Sequence, residues 1–254
     1  MKAMILAAGL GTRLRPLTND RPKALVEING RTLLEITLAR LRVFGVNDVI
    51  INVHHFADVL TGYLAANGNF GMHIEISRED ELLDTGGGLK KAANFFLQDA
   101  DERPFLLHNV DVLSTIDLEE MLRVLRREDA LAVLAVRNRS SSRYLLFDPA
   151  SELVGRRTAK GNAAPETELA RHESNPEALA FCGIQAISPR LLKLMTESGV
   201  FSIIQTYLRL AGRGEKILGF RADNYYWRDL GRAEHLLEAS SDVSTGTLAL
   251  PNCR

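Results

Sequence analysis

Gly9 and Gly11 follow a short apolar run, residues 3–7, and Thr12, Arg13, Arg15 and Lys23 follow them in turn. Bare backbone beside fixed cations suits a polyphosphate. Small residues let main-chain N–H groups approach phosphate oxygens, and Arg and Lys neutralise charge that backbone dipoles cannot. A glycine pair alone would serve equally as a tight turn, so the cations carry the argument. Two well-known phosphate loops do not fit. The dinucleotide loop needs G-x-G-x-x-G and an acid about 20 residues on, but Leu14 stands where the third glycine belongs, and the strand-like run 48–53 closes on Asn52, Val53 and His54. The ATPase P-loop needs Gly-Lys-Ser/Thr after four spacer residues, and no lysine follows Gly9 or Gly11 at that distance.

The elements that must carry this loop alternate between strand and helix. Thr32 with Glu35 has the capping-box form, and Leu34, Leu38 and Leu41 lie on one helical face until Gly45. Continuous apolar runs at 49–53 and 104–110 read as strands buried on both faces. Helices are expected over 57–66, 89–97 and 118–127, and strands over 72–77 and 130–136. This rhythm predicts an α/β fold, a doubly wound, mostly parallel but mixed Rossmann-like sheet. Residues 137–178 are less periodic and read as loops or short edge strands over the active face. Strands near 179–187, 216–220 and 225–229 follow, with helices at 189–195, 202–211 and 232–239. From Ser240 the apolar period is lost, so 240–254 is expected to fray. One domain over 1–239 results, with a first half at 1–136 and a second at 137–239.

Bulk properties narrow the class. The chain has 254 residues and a formal net charge of −1, against the basic excess expected of nucleic-acid binding. Cys182 and Cys253 are the only cysteines, too few and too far apart for a disulfide framework or a metal knuckle. The apolar run near the start is too short for a signal segment or a membrane span, so a cytoplasmic location without membrane partners is expected. Oligomeric state is not legible.

The ordered segment Leu6-Ala7-Ala8-Gly9-Leu10-Gly11-Thr12-Arg13-Leu14-Arg15-Pro16-Leu17-Thr18, with Pro22-Lys23-Ala24-Leu25 beyond it, resembles the signature of the sugar-1-phosphate nucleotidyltransferases. Ala24 stands where that family has a second proline. The resemblance runs over about 1–239 and implies a nucleoside triphosphate and a sugar 1-phosphate as partners, with Mg²⁺ as cofactor. It implies that Ala7, Ala8, Gly9, Gly11, Thr12, Arg13 and Lys23 hold the nucleotide. It makes 1–136 the nucleotide-binding half and 137–239 the sugar-phosphate-binding half.

Three further segments extend it. In His108-Asn109-Val110-Asp111-Val112 an acid follows a buried strand directly, where open α/β sheets bind their ligands. The resemblance makes Asp111 a magnesium ligand, although an aspartate there could also cap the next loop. Tyr226-Trp227-Arg228-Asp229-Leu230-Gly231 is similar to the segment carrying the second ligand, here Asp229, which could equally cap the following helix. In Leu83-Asp84-Thr85-Gly86-Gly87-Gly88-Leu89 the resemblance sets Gly86 and Gly87 against the nucleobase, which needs backbone free of side chains; a plain flexible turn is the other reading. On the sugar side, Phe181-Cys182-Gly183-Ile184 and Tyr144-Leu145-Leu146-Phe147-Asp148 match in part, and Asn109, Tyr144 and Gly183 are the implied sugar-phosphate contacts. The family's second lysine has no clear counterpart; Lys160 is the candidate replacement.

The implied reaction is attack by a sugar 1-phosphate oxygen on the α-phosphorus of the triphosphate, expelling pyrophosphate. A phosphate monoester has a second pKa of about 6, so no histidine base is required and His54, His55 and His108 are not needed as catalysts. Arg13, Lys23 and Asp111 are the expected catalytic residues, supplying in-line positioning and charge neutralisation. The compact form looks most like the short uridylyltransferases acting on N-acetylmuramate 1-phosphate, with mannose- or heptose-1-phosphate guanylyltransferases next. Phosphocholine cytidylyltransferases would need an aromatic cluster for the quaternary amine, and only Tyr225, Tyr226 and Trp227 are grouped. A non-catalytic sugar-nucleotide-binding regulator on the same fold is the reading of another class.

Overall fold

The computed structural model describes residues 1–98, 103–159 and 164–251. Its frame is a ten-stranded mixed sheet. The chain runs through β1 (Lys2–Leu6), the small hairpin β2 (Glu27–Ile28) and β3 (Arg31–Thr32), α1 (Leu33–Val43), β4 (Asp48–Val53), α2 (Ala57–Ala66) and β5 (His73–Arg78). It continues with α3 (Asp84–Lys91), α4 (Ala93–Leu97), β6 (Phe105–Asn109), β7 (Val112–Ser114), α5 (Leu118–Arg127) and β8 (Ala132–Arg137). The second half holds β9 (Arg143–Phe147), β10 (Leu153–Thr158), β11 (Glu166–Leu169), β12 (Glu177–Ile187), α6 (Arg190–Leu194), α7 (Ile203–Ala211), β13 (Ile217–Arg221), β14 (Trp227–Asp229) and α8 (Ala233–Ser244).

Strands β6, β1, β4 and β5 pair in parallel, as the alternating rhythm of the first half predicts. The long strand β12 then runs antiparallel to β6, β8 and β9, and β10 and β11 extend the sheet beyond β9. The expected doubly wound, Rossmann-like α/β architecture is therefore present. The aperiodic stretch forms an antiparallel meander that lengthens the same sheet.

Period-2 alternation puts the β1 side chains into two cores. Ala3 and Ile5 join the cluster that includes α1, α2, α5 and α8, while Met4 faces the opposite one with Phe95, Phe96, Leu191 and Tyr207. Both faces are covered, which is why β1 and β4 read as continuous apolar runs. Helix α1 begins as its sequence indicates: the Thr32 hydroxyl accepts from the Glu35 amide at 3.1 Å. The Glu35 carboxylate accepts from Arg31 Nε at 2.7 Å.

The expectation of a frayed end from Ser240 is corrected. Helix α8 continues to Ser244, Leu248 is buried, and the Pro251 carbonyl accepts from Arg31 Nη1 at 2.7 Å. Tyr226 and Arg228 also bind the Asp242 carboxylate, at 2.6 and 2.7 Å. Short-range apolar spacing misses this because the ordering contacts come from the distant 29–31 turn and from β14. Among the described residues, no helix is long and apolar enough to cross a membrane.

Candidate active site

The carboxyl ends of β1, β4, β5 and β6 converge on a cleft of two chambers. The first, about 390 Å³, is lined by Ala7, Ala8, Gly9, Lys23, Asn109 and Asp111 on one side and by Asn52, Glu79, Asp84 and Thr85 on the other. The second, about 590 Å³, lies against β9, β10, β11 and β12 and shares Asp84, Thr85 and Asn109 with the first. Ligands of open α/β sheets bind at this end of the strands.

The opening loop is held by its own contacts. Gly11 adopts φ +63°, and a Cβ there would lie 3.0 Å from Thr18 Cγ2. The Thr18 hydroxyl donates to the Gly11 carbonyl at 2.9 Å. Gly9 differs: it is exposed in the first chamber, and a Cβ would meet nothing within 4 Å. Internal crowding does not demand glycine at position 9, so its bareness serves the cleft. Lys23 starts a short 3-10 turn behind Pro22, anchored by buried Ala24 and Leu25. That turn brings its ammonium onto Asp111 Oδ2.

Asp111 and Asp229 come together through β7 and β14, where Asp229 is in register with Val112 and the Leu230 amide donates to the Asp111 carbonyl at 2.8 Å. Arg13 joins from the loop: a Cβ on Gly231 would lie 2.7 Å from both Arg13 Nη2 and Asp229 Oδ1. Asp229 does not cap α8, whose N-terminal residue Arg232 has no side-chain bond of that kind. Its Oδ1 accepts from the Gly231 amide at 2.7 Å, and its carbonyl bonds His235 Nδ1 at 2.6 Å. Lys23, Asp111, Arg13 and Asp229 thus share one neighbourhood. Thr12 and Arg13 are exposed beside the first chamber and do not line it.

The glycine triplet does something different from what its sequence indicates. Gly86, Gly87 and Gly88 lie inside α3, and the Gly86 and Gly87 amides both donate to the Phe201 carbonyl, at 2.9 and 3.2 Å. Neither residue lines a chamber; Asp84 and Thr85 do. The glycines are demanded by packing. A Cβ on Gly86 would sit 2.4 Å from the Phe201 ring, one on Gly87 2.5 Å from the Gly199 carbonyl oxygen, and one on Gly88 2.7 Å from Glu79 Oε1. Alanine for glycine within a helix gains about 1 kcal/mol of propensity, but overpacking against main chain costs about 1–3 kcal/mol. Gly87→Ala is therefore expected to lower the denaturation midpoint, and a raised midpoint would refute the packing role.

Sequence reasoning missed the floor of the first chamber. Glu79 is buried at 4% exposure. Its Oε1 accepts from Asn52 Nδ2 at 2.8 Å and its Oε2 from the Leu83 amide at 3.1 Å. Asn52 Oδ1 accepts from the Ala7 amide at 2.8 Å, tying β1, β4 and the loop after β5 into one network. The signal was the acid just beyond the β5 strand. Gln185, fully buried on β12 and bonded by the Tyr207 hydroxyl, is a second omission.

On the sugar side, Tyr144 lines the second chamber with its hydroxyl accepting from the Ser141 amide at 2.9 Å. Gly183, at φ +76°, lets Asn109 lie close: a Cβ would be 2.9 Å from Asn109 Nδ2. Lys160 lies outside the described residues. His108 is wholly buried, and desolvation together with nearby Arg40 lowers its pKa to about 4, so it is neutral at physiological pH and lines neither chamber. Burial likewise pushes the Cys182 thiol up to about 12, which removes it as a nucleophile.

This geometry agrees with the comparisons. The family model described as nucleotidyl transferase matches residues 2–152. An N-acetylmuramate alpha-1-phosphate uridylyltransferase of Caulobacter vibrioides is 34% identical, over 95% of this chain and 96% of its own. The chain belongs to the nucleotidyl transferase family. A mannose-1-phosphate guanyltransferase of Yarrowia lipolytica is 28% identical over 94% of this chain and 63% of its own. Among solved structures, HddC from Yersinia pseudotuberculosis complexed with GMP-PN superposes with a TM-score of 0.73 at 20% identity, covering 95% of this chain and 98% of that one. A UDP-glucose pyrophosphorylase complexed with UDP-glucose gives 0.73 at 17% identity, over 96% and 98%. This nucleotidyltransferase therefore shares its architecture with enzymes of sugar-nucleotide formation.

Proposed function

We propose that the chain transfers a uridylyl group from UTP to a sugar 1-phosphate. A phosphate oxygen of the sugar attacks the α-phosphorus, the bond from that phosphorus to the bridging oxygen breaks, and pyrophosphate leaves. The carrying observation is the bipartite cleft, with Lys23 and Asp111 in the first chamber and Asn109 on the wall shared with the second. The first chamber would take the nucleotide and the second the sugar, dividing the chain near residue 136. Both reactants are anions, so the protein's task is to hold them in line and offset their repulsion.

Lys23 bridges the α-phosphate and the incoming phosphate, and Arg13 holds the outer phosphates. Gly9, with the Ala7 and Ala8 segment, allows their close approach; Gly11 and Thr12 shape the loop. Two aspartates of separate segments fit magnesium, which takes hard oxygen ligands and few protein carboxylates. Asp111 and Asp229 would hold the ion, whose chemistry is to neutralise phosphate charge and polarise phosphorus. Asn109, Tyr144 and Gly183 serve the sugar phosphate. Such chemistry belongs with cytoplasmic nucleotide pools.

UTP is favoured by the relative that matches over nearly the whole length of both chains. One observation supports guanylyl transfer instead: the Glu79 carboxylate on the chamber floor is an acceptor-only group, suited to the paired N–H donors on guanine's edge, whereas uracil offers a single imide N–H. A panel of UTP, GTP, CTP, ATP and dTTP against several sugar 1-phosphates, read by pyrophosphate release and product mass, decides between them. UTP giving the highest kcat/KM is the expected result, GTP leading would favour the second reading, and no release with any pair would sink both.

A further inference from the structure

The second chamber carries charge that a neutral sugar does not use. Arg139, Arg143 and Arg156 line it. Arg156 is neutralised by Glu168, with Nη2 to Oε2 at 2.6 Å. The other carboxylates on the chamber, Asp84 and Glu166, are already engaged. Asp84 Oδ1 accepts from the Thr85 amide at 2.6 Å where the two chambers meet, and Glu166 has a partner of its own. Arg139 and Arg143 have no carboxylate within 4 Å among the described residues.

Arg139 is pre-oriented. Its guanidinium lies 4.5 Å from the Trp227 ring centroid, and its Nη1 and Nη2 donate to the Ser140 and Phe181 carbonyls, each at 3.2 Å. Trp227 is fixed in turn by its Nε1 donating to the Cys182 carbonyl at 2.8 Å. Arg139 Nε is buried without a partner among the described residues. Arg143 enters from the start of β9, exposed and next to Tyr144. A rigid fork of guanidinium donors matches a carboxylate bidentately, and stacking on an aromatic face lowers the entropy lost when it binds.

We infer that Arg139 and Arg143 form an anion subsite for a carboxylate on the sugar itself, so that the preferred substrate class is an acidic sugar 1-phosphate. The inference rests on the proposed reaction and adds specificity to it. The reactive phosphate is served at the junction of the chambers by Lys23, Asp111 and Asn109, whereas these arginines line only the second chamber. A sugar bearing hydroxyls alone would leave two cations in a narrow cleft without a partner, which is costly where water is partly excluded.

The test compares matched substrate pairs differing by one carboxylate. N-acetylmuramate 1-phosphate and N-acetylglucosamine 1-phosphate differ by the lactyl ether at O3; glucuronate 1-phosphate and glucose 1-phosphate differ at C6. The protein is expected to favour the acidic member of at least one pair at least ten-fold in kcat/KM. Arg143→Gln should reduce that ratio about ten-fold, and Arg143→Lys should restore part of it, since lysine keeps the charge and loses the fork. The pair that responds locates the carboxylate. Arg143 is exposed, so the variant is expected to fold. If Arg143→Gln weakens acidic and neutral sugars equally, the arginine serves the 1-phosphate and the inference is overturned. Calorimetric Kd values for the same four sugar phosphates give the ratio without turnover. Failure of pyrophosphate release would therefore count against the reaction, and a flat Kd ratio against the subsite.

Discussion

Lys23→Ala is expected to lower kcat about 100- to 1,000-fold, the range seen when one preorganised charge is removed from a transition state. The Lys23 side chain is 10% exposed and its ammonium sits on Asp111 Oδ2, where it cannot be replaced freely by solvent cations. Its loss leaves the developing charge on the α-phosphate without its nearest fixed cation. KM for the triphosphate should rise less than kcat falls, because the attacking phosphate meets the lysine only as the reaction proceeds. Single-turnover rates under saturating nucleotide measure this. A variant retaining more than about a tenth of wild-type turnover would sink the assignment, since that corresponds to less than about 1.4 kcal/mol of transition-state stabilisation.

The second large effect concerns Asp111. Lewis-acid stabilisation of a transferring phosphoryl group is worth several kcal/mol, and each 1.36 kcal/mol is tenfold in rate. Asp111→Asn is therefore expected to cost at least two orders of magnitude in turnover and to raise the Mg²⁺ concentration needed for half-maximal rate. Asp229→Asn should do less, because Asp229 Oδ1 is already shared with the Gly231 amide and an asparagine oxygen can keep that bond. Rates titrated against Mg²⁺ separate the two variants. Near-normal turnover for Asp111→Asn at low Mg²⁺ would remove the metal assignment. A coupled result is also expected in stability. Asp111→Asn strands a largely buried ammonium and Lys23→Ala a partly buried carboxylate, so the double variant should lose less stability than the sum of the single ones.

Much of this site was legible because its determinants are local. The loop from Leu6 to Thr18 and the Pro22-Lys23 turn set their own geometry through short-range bonds, such as Leu14 N to the Gly11 carbonyl at 2.9 Å. Residue types there could be read directly as phosphate chemistry. Asp111 was legible too, because an acid directly beyond a buried apolar strand marks the ligand-binding edge of an α/β sheet. The same locality made α1 and α5 readable, each opening on its own cap at Thr32 and Asp117.

Where the deciding contact came from far along the chain, residue types misled or were silent. The glycine triplet looked like an exposed backbone platform. It is a helix turn kept bare by Phe201, Gly199 and Glu79, none of which sequence spacing could bring against it. The end beyond Ser240 looked unsupported, yet Asn29, Arg31, Tyr226 and Arg228 hold it in place. Glu79 was one acid among several until burial and the Asn52 bond made it the floor of a chamber.

The sequence alone determined the type of reaction, because phosphate chemistry is written in glycines and cations whose roles are set within a few residues. The tertiary structure alone decided which charges meet. The β7–β14 pairing joins Asp229 to Asp111, and the folding of β9 and β12 onto one wall leaves Arg139 and Arg143 facing the sugar chamber without carboxylate partners among the described residues. Charge acts through space with little regard for chain distance, so its balance becomes readable only once the fold has set who stands beside whom.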